Sequence, residues 1–294
     1  MAKVDLSIII VNHNTQDLLL TLLNSLKLSE VGSYRLETIV VDNASNDKSR
    51  ELLKQSYPQV KLIVNSQNLG FAMANNQGLR QAQGRYLLLL NSDTVVEKET
   101  IRTMIEFMDS HSEFGVATCR VELSNGQLDP ACHRGFPTVW VAVSYFVGLE
   151  KLFPKSKLFS QYHQGWKKKD IIHEVEVISG AFFMLRREVI EKVGLLDEGF
   201  FMYGEDIDWC MRIHQAGFRI AFVPVTKITH VKGQSARFKK ESNKVDHKQL
   251  KNHINKHFWQ TMKLFYQKHY SHSYPRFLKW LIFRIIDWKI KRRQ

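Results

Sequence analysis

The chain has 294 residues and is 44% hydrophobic, enough to fill the core of one large domain or of a domain with an extension. Its three cysteines are odd in number and far apart, which argues against a disulfide framework or a cysteine zinc site and leaves core thiols in a reducing compartment. The formal charge of +13 sits at one end: from Lys232 onward seventeen Lys and Arg face three acids, so the first 231 residues are close to neutral.

Read from the N-terminus, the apolar run Leu6–Val11 is shorter than the ~7–15 residues of a secretory leader's core and no small-residue cleavage site follows it, so a strand is expected there. Four runs, LSIIIV, ETIVV, KLIV and RYLLLL, have strand length and end in small polar residues. Segments with helical spacing follow them, at 15–27, 46–56, 71–83 and 97–110. Strands apolar on both faces that alternate with amphipathic helices predict a parallel sheet covered on both sides, a Rossmann-like half. Asn46 and Asp47 stand as cap candidates for the second helix, Ser92 and Asp93 for the fourth.

After Glu122 the pattern breaks. LSNGQLDPACHRGFPT has turn chemistry in Asn125-Gly126 and Asp129-Pro130, and 124–175 reads as loops and short helices over a cleft. Regular structure resumes in EVEVISGAFFML, a strand pair or one long strand. Next come the helix REVIEKVG, the octapeptide YGEDIDWC, a helix to about Gln215 ended by Gly217, and the strand FRIAFV. Past Ser235 the chain is basic, aromatic and helical in spacing, with one break at Pro275, so the expected division is 1–235 and 236–294.

Open α/β sheets bind ligands beyond the carboxyl ends of their strands. The first strand is followed by NHNTQDLL, without the G-x-G-x-x-G of a dinucleotide site, and a P-loop is missing too. Phosphates bound here would need a metal. Asp42 ends the second strand in VVDNAS, and Asp93 follows the fourth in LLLLNSDT. A carboxylate at 93 suits magnesium or manganese completed by substrate phosphates, or else a helix cap. One at 42 suits a hydrogen bond to a base or ribose, or else an Asx turn. His230, in KITHVKGQS, ends a β-like run and is either a manganese ligand or a structural imidazole. Asp206 opens a helix whose dipole favours its ionised form, so it can take a proton from a hydroxyl nucleophile or serve as an ordinary cap. Asp208 is expected to pair with Arg212 one turn on.

Taken in order, SIIIVNHN, IVVDNAS, NSQNLGFAMANNQG, YLLLLNSD, VISGAFFMLRREVIEKVGLLDEGFFMYGEDIDWCMR and THVKGQS resemble the family 2 inverting glycosyltransferases from Leu6 to Ser235. The likeness is strongest to a bacterial branch with rhamnosyl transferases of surface polysaccharide assembly, which SNGQLDPACHRGFPT also resembles. The resemblance implies an α/β, GT-A fold: a Rossmann-like nucleotide-binding half and a mixed central sheet flanked by helices, here with a basic helical C-terminal extension. It implies a nucleoside diphosphate sugar donor, dTDP- or UDP-linked, held by Val11, Asn12, His13, Asn14, Asp42 and Asp93. Asn68, Gly70 and Asn76 would shape the donor pocket. It further implies Mg2+ or Mn2+ on Asp93 and His230, Asp206 as catalytic base, and Glu205 and Arg134 facing a glycan or lipid-linked acceptor. Two departures stand out: the metal motif reads Asn91-Ser92-Asp93, one carboxylate short of D-x-D, and His13 replaces a common tyrosine.

The mechanism implied is a single displacement with inversion. The segment YPRFLKWLIFRIIDWKIKRRQ is too interrupted by Lys279, Arg284 and Asp287 for a ~20-residue span. It suits a helix lying in an anionic leaflet, on the inner face of the cell membrane, or else a helix packed on the catalytic domain with a charged outer face. Nucleic acid is not an expected partner, because no RNA or DNA module surrounds the basic tail, although Lys and Arg interleaved with aromatics keep a nucleic-acid-binding protein as an alternative. A nucleotidyl transferase would carry a G-x-G-x-R loop, which is absent. A catalytically inactive lipid-surface protein is a further alternative.

Overall fold

The computed structural model describes residues 4–231, 247–271 and 273–291, with residues 247–256 described as backbone only. The expected boundary at 235/236 lies outside the described residues.

The first half alternates as its sequence requires. Strands β1 (Leu6–Asn12), β2 (Leu36–Asn43), β3 (Lys61–Asn65) and β4 (Tyr86–Leu90) pair in parallel in the order β3-β2-β1-β4. Every residue of β4 is buried, as are six of the seven in β1, which only a sheet covered on both faces permits. Helices α1 (Gln16–Lys27), α2 (Ser49–Ser56) and α3 (Phe71–Gln81) make the crossovers. In α1 the buried side chains are Leu18, Leu19, Leu22 and Leu23, the i, i+1, i+4, i+5 stripe of one helix face.

The chain then departs from the simple alternation. After β4 it forms a short strand β5 (Thr94–Val96), helix α4 (Thr100–Ser110) and strand β6 (Phe114–Leu123). Two short helices follow, α5 (Val139–Phe146) and α6 (Leu149–Leu152), in the region read as loops and short helices. EVEVISGAFFML resolves into the two-residue β7 (His173–Glu174), a single bridge between Val177 and Arg134, and β8 (Phe182–Arg186). Helices α7 (Arg187–Val193) and α8 (Glu205–Gln215) lead to β9 (Arg219–His230).

β8 inserts antiparallel between β4 and β6, β6 runs parallel to β9, and β5 and β7 pair antiparallel with β9. The sheet is therefore mixed, with nine strands among the described residues. The strand read as FRIAFV continues to His230, which the register sets opposite Thr94.

The C-terminal helices α9 (His247–His269) and α10 (Arg276–Lys291) form a hairpin against this body. Phe265 and Tyr266 of α9 are buried and join the main core. The Tyr266 hydroxyl donates to Pro137 O at 2.7 Å, and His269 Nε2 lies 2.7 Å from Asp208 Oδ1. α9 is thus a packed helix, whereas α10 buries only Ile286 fully. All three cysteines are buried and unpaired.

Candidate active site

The carboxyl ends of β1, β2 and β4 supply one side of the site. Asp42, at the end of β2, is fully buried. Its Oδ1 accepts from Arg50 Nε at 2.6 Å and from the Ser45 backbone N–H at 3.1 Å, the Asx turn foreseen as the alternative. Its Oδ2 accepts from Asn12 Nδ2 at 3.2 Å. Burial would raise its pKa, but the bonds from Ser45, Arg50 and Asn12 outweigh burial and hold the carboxyl below its ordinary value.

Asn12 passes the network on. Its Oδ1 accepts from Thr15 Oγ1 at 2.7 Å, and Thr15 Oγ1 lies 3.0 Å from Ser92 Oγ, next to Asp93. Val11, His13 and Asn14 are half-buried around this step, with His13 Nδ1 donating to Asn43 O at 2.8 Å.

Asp93 does not cap a helix. β5 follows it, and the pairing of β5 with β9 brings His230 Nε2 to 3.1 Å from Asp93 Oδ1. The other ring nitrogen, Nδ1, lies 2.9 Å from Oδ2 of Asp129, which is fully buried. Burial alone would lower the imidazole's pKa; the bonds and charges of Asp129 and Asp93 overcome it and raise the pKa to about 9. Asp129 figured in the sequence only as part of a turn.

The loop after Asp129 leads to the last part of the site. Arg134 Nε donates to Ala131 O at 2.9 Å, and its Nη2 donates to Asp206 Oδ2 at 2.6 Å. Both side chains of this pair are largely buried. Asp206 is the second residue of α8, behind Gly204 as N-cap, so it is not the cap itself. Tyr203 and Gly204 are both left-handed, at φ 69° and 84°. A Cβ on Gly204 would collide with Thr261 of α9, so the turn that aims α8 needs glycine. Asn14 and Ala44 are left-handed as well, placing three of the four such non-glycine residues among those described beside the site.

The neighbours of Asp206 differ from it. Glu205 is 7% exposed, and its Oε2 has no hydrogen-bond partner among the described residues. Burial, and then the charge of Asp206, raise its pKa. Burial thus disfavours charge on Glu205, whereas Asp206 beside it is paired with Arg134. Asp208 faces away, held by Arg212 at 2.8 Å as expected and also by His269.

Asn68, Gly70 and Asn76 fix loops. Asn68 Oδ1 accepts from Asn43 Nδ2 and from Gly70 N, both at 2.9 Å. Gly70 has φ 84°, and the adjacent Phe71 N–H donates to Phe201 O at 2.8 Å, so a Cβ there would strike Phe201. Asn76 Nδ2 donates to Leu196 O at 2.8 Å and Glu198 Oε1 at 2.9 Å, and its Oδ1 accepts from Leu196 N at 3.1 Å. Gly70 and Asn76 tie the N-terminal half of the sheet to the 196–201 segment that leads into α8 and Asp206.

One sheet edge therefore carries a sequence of contacts from Asp42 through Asn12, Thr15 and Ser92 to Asp93, and from His230 and Asp129 along one loop to Arg134 and Asp206. Among the described residues no group of three or more His, Cys, Asp or Glu stands ready to hold a metal. The donor set at Asp93 and His230 nevertheless fits a divalent cation in part. One carboxylate oxygen and one imidazole nitrogen meet there, and Asp129 fixes the ring through its other nitrogen, the outer-layer arrangement common at metal-binding histidines.

Comparison with known proteins gives the chain its family. Residues 7–194 match the model of glycosyl transferase family 2, and the chain belongs to that family. Its mixed sheet and flanking helices are those of the GT-A fold. It is 29% identical over 234 residues to rhamnosyltransferase WbbL of Escherichia coli K12, covering 76% of this chain and 82% of that one. It is 24% identical over 211 residues to the N-acetylglucosaminyl-diphospho-decaprenol L-rhamnosyltransferase of Mycobacterium tuberculosis, covering 68% of each. Among solved structures, residues 1–349 of Staphylococcus aureus TarS superpose with a TM-score of 0.59 at 17% identity, over 98% of this chain and 71% of that one.

Proposed function

We propose that the protein is an inverting glycosyltransferase that moves a sugar, of the rhamnose type, from a dTDP- or UDP-linked donor to a hydroxyl of a glycan or lipid-linked acceptor in cell-surface polysaccharide synthesis. The observation that carries this reading is the run of contacts joining Asp42, Asp93 and Asp206 along one sheet edge, in a chain of family 2. The names of the E. coli and M. tuberculosis relatives support the donor sugar, and the latter also supports a lipid diphosphate acceptor.

In this reading the residues from Val11 to Asn14 and Asp42 hold the nucleoside, and Asn68, Gly70 and Asn76 keep the pocket's wall against the Asp206 loop. Asp93 and His230 would hold Mg2+ or Mn2+, with donor phosphates completing the shell beyond these two ligands among the described residues. When bound, such a cation supplies charge stabilisation for the departing nucleoside diphosphate. The Asp206 carboxylate accepts the acceptor's hydroxyl proton as that oxygen attacks the anomeric carbon. The carbon–phosphate-oxygen bond breaks, its electron pair leaves with the diphosphate, and one displacement inverts the centre. Arg134 keeps Asp206 aimed through its 2.6 Å bond, and Glu205, whose pKa burial raises, adds less negative charge beside an approaching hydroxyl than an ordinary carboxylate would.

The tail extends the proposal. Among the described residues no helix is long and apolar enough to cross a membrane, and the basic C-terminal helix would rest on an anionic leaflet at the cytoplasmic side, where a lipid-linked acceptor is met. A titration of nucleoside diphosphate sugars with Mn2+ or Mg2+ present tests the donor assignment. Metal-dependent binding of a dTDP- or UDP-sugar is expected; binding of none would overturn it.

A further inference from the structure

Helix α10 turns its apolar side away from the protein. Phe277, Trp280, Leu281, Ile285 and Trp288 are 71, 58, 38, 49 and 49% exposed, and their spacing puts them on a single helical face. Ile282, Phe283 and Ile286 point the other way and join buried surface. An ordinary surface helix keeps only one apolar face and buries it. Arg284 and Lys291 share the outer face, Arg276 is exposed at the helix start, and the helix's one acid, Asp287, is taken up by Lys263 at 2.6 Å.

The segment 139–158 behaves in the same way more than a hundred residues earlier. Trp140, Val143 and Phe146 of α5 and its C-cap Val147 are 42 to 63% exposed, and Leu152, Phe153 and Leu158 follow with 50 to 71%. Lys151, Lys155 and Lys157 stand among them, all exposed. The one acid of this segment, Glu150, is buried and accepts from Ser160 Oγ and the His163 backbone N–H.

The two faces are joined through α9. Phe146 of α5 stacks on Trp259, ring centroids 5.5 Å apart and planes 26° from parallel. Lys289 of α10 sits 5.8 Å from the same Trp259 ring. At the other end of α5, Val139 N donates to the Tyr274 hydroxyl at 3.3 Å, just ahead of α10.

We infer that α5–α6 and α10 form one docking face for an anionic lipid bilayer. Exposed Trp, Phe and Leu suit the acyl boundary, and the cations among them suit anionic headgroups. A second copy of this chain would bring the same positive charges to the contact and be repelled. A nucleic acid would leave the apolar side chains in water. The face begins beside the acceptor side, because α5 starts five residues after Arg134, the partner of Asp206. This deepens the membrane reading of the C-terminal helix by giving it a second, internal half.

The test uses the full chain with sedimenting vesicles of phosphatidylcholine, with and without phosphatidylglycerol, and reads binding alone. Wild type is expected to bind the anionic vesicles about tenfold or more tightly than the neutral ones, less so in high salt. The triple variants Phe146→Ser/Phe153→Ser/Leu158→Ser and Phe277→Ser/Trp280→Ser/Trp288→Ser should each lose about tenfold. Lys151→Glu/Lys155→Glu/Lys157→Glu, which leaves buried packing alone, should lose a similar factor and covers the case in which a serine variant does not fold. If the lysine variant binds as wild type does, α5–α6 is not part of the face, and the tail reading is judged by the α10 variant alone. Absence of wild-type binding to anionic vesicles, or a dimer in light scattering that the serine variants dissociate, overturns the lipid assignment. Donor binding measured on the same samples keeps these outcomes separate from the transfer reaction.

Discussion

Asp93 Oδ1 and His230 Nε2 stand 3.1 Å apart although 137 positions separate them in the chain. The antiparallel register of β5 on β9 brings them together, and Asp129 holds the far side of the ring. Asp129→Ala should therefore raise the metal concentration for half-maximal activity by about 10–100-fold. A variant with wild-type metal dependence would remove His230 from the metal site.

Asn76 makes three hydrogen bonds to the 196–198 segment, and it is 1% exposed. Asn76→Ala leaves buried backbone groups of Leu196 unpaired, which should cost about 1–3 kcal/mol in a urea titration. Because that segment leads to Asp206, turnover should fall with stability. A change under about 0.5 kcal/mol would mean that the loop closes without this tether.

Glu205 is held near pKa 8 against an ordinary 4.5, by burial first and the charge of Asp206 second. Between those values the folded protein keeps a proton that the unfolded chain has released, so this group's contribution to stability is lost as pH rises. Glu205→Gln should show a smaller loss of denaturant midpoint than wild type from pH 5 to pH 8, while retaining activity at neutral pH. Parallel midpoint curves for the two proteins would show that Glu205 is ionised in the fold.

His269 joins α9 to the buried Asp208 on the rear of α8. His269→Ala removes one of two partners of a buried carboxylate, and a loss of about 1–3 kcal/mol is expected in thermal or urea unfolding. No measurable loss would leave Arg212 as sufficient partner.

Much of the first half was legible because each strand and helix there writes its own periodicity: IIIV, IVV and LLLL can only be buried strands between amphipathic segments. The insertion of β8 between β4 and β6 was not legible, since a run such as AFFML fits either neighbour and either direction. The helix expected from 97 starts at Thr100 because β5 comes first, and pairing to β9 is a tertiary event no local window records. Asp206, Asp93 and His230 could be proposed from their places at element ends. Asp129 could not, because a turn Asp and an imidazole-bound Asp look alike until His230 arrives from the last strand. The C-terminal helices defeated a single choice for a similar reason: an apolar stripe fits a protein surface or a lipid surface equally well, and α9 takes the former.

The central claim is that Asp206 takes the acceptor proton while Asp42 and Asp93 serve the donor. Turnover and donor affinity of Asp206→Asn, measured on one preparation with metal present, address it directly. Donor affinity within about threefold of wild type and a turnover lower by about 10²–10⁴-fold are expected. Turnover within about fivefold of wild type would contradict the claim, since a general base contributes more than that to the rate.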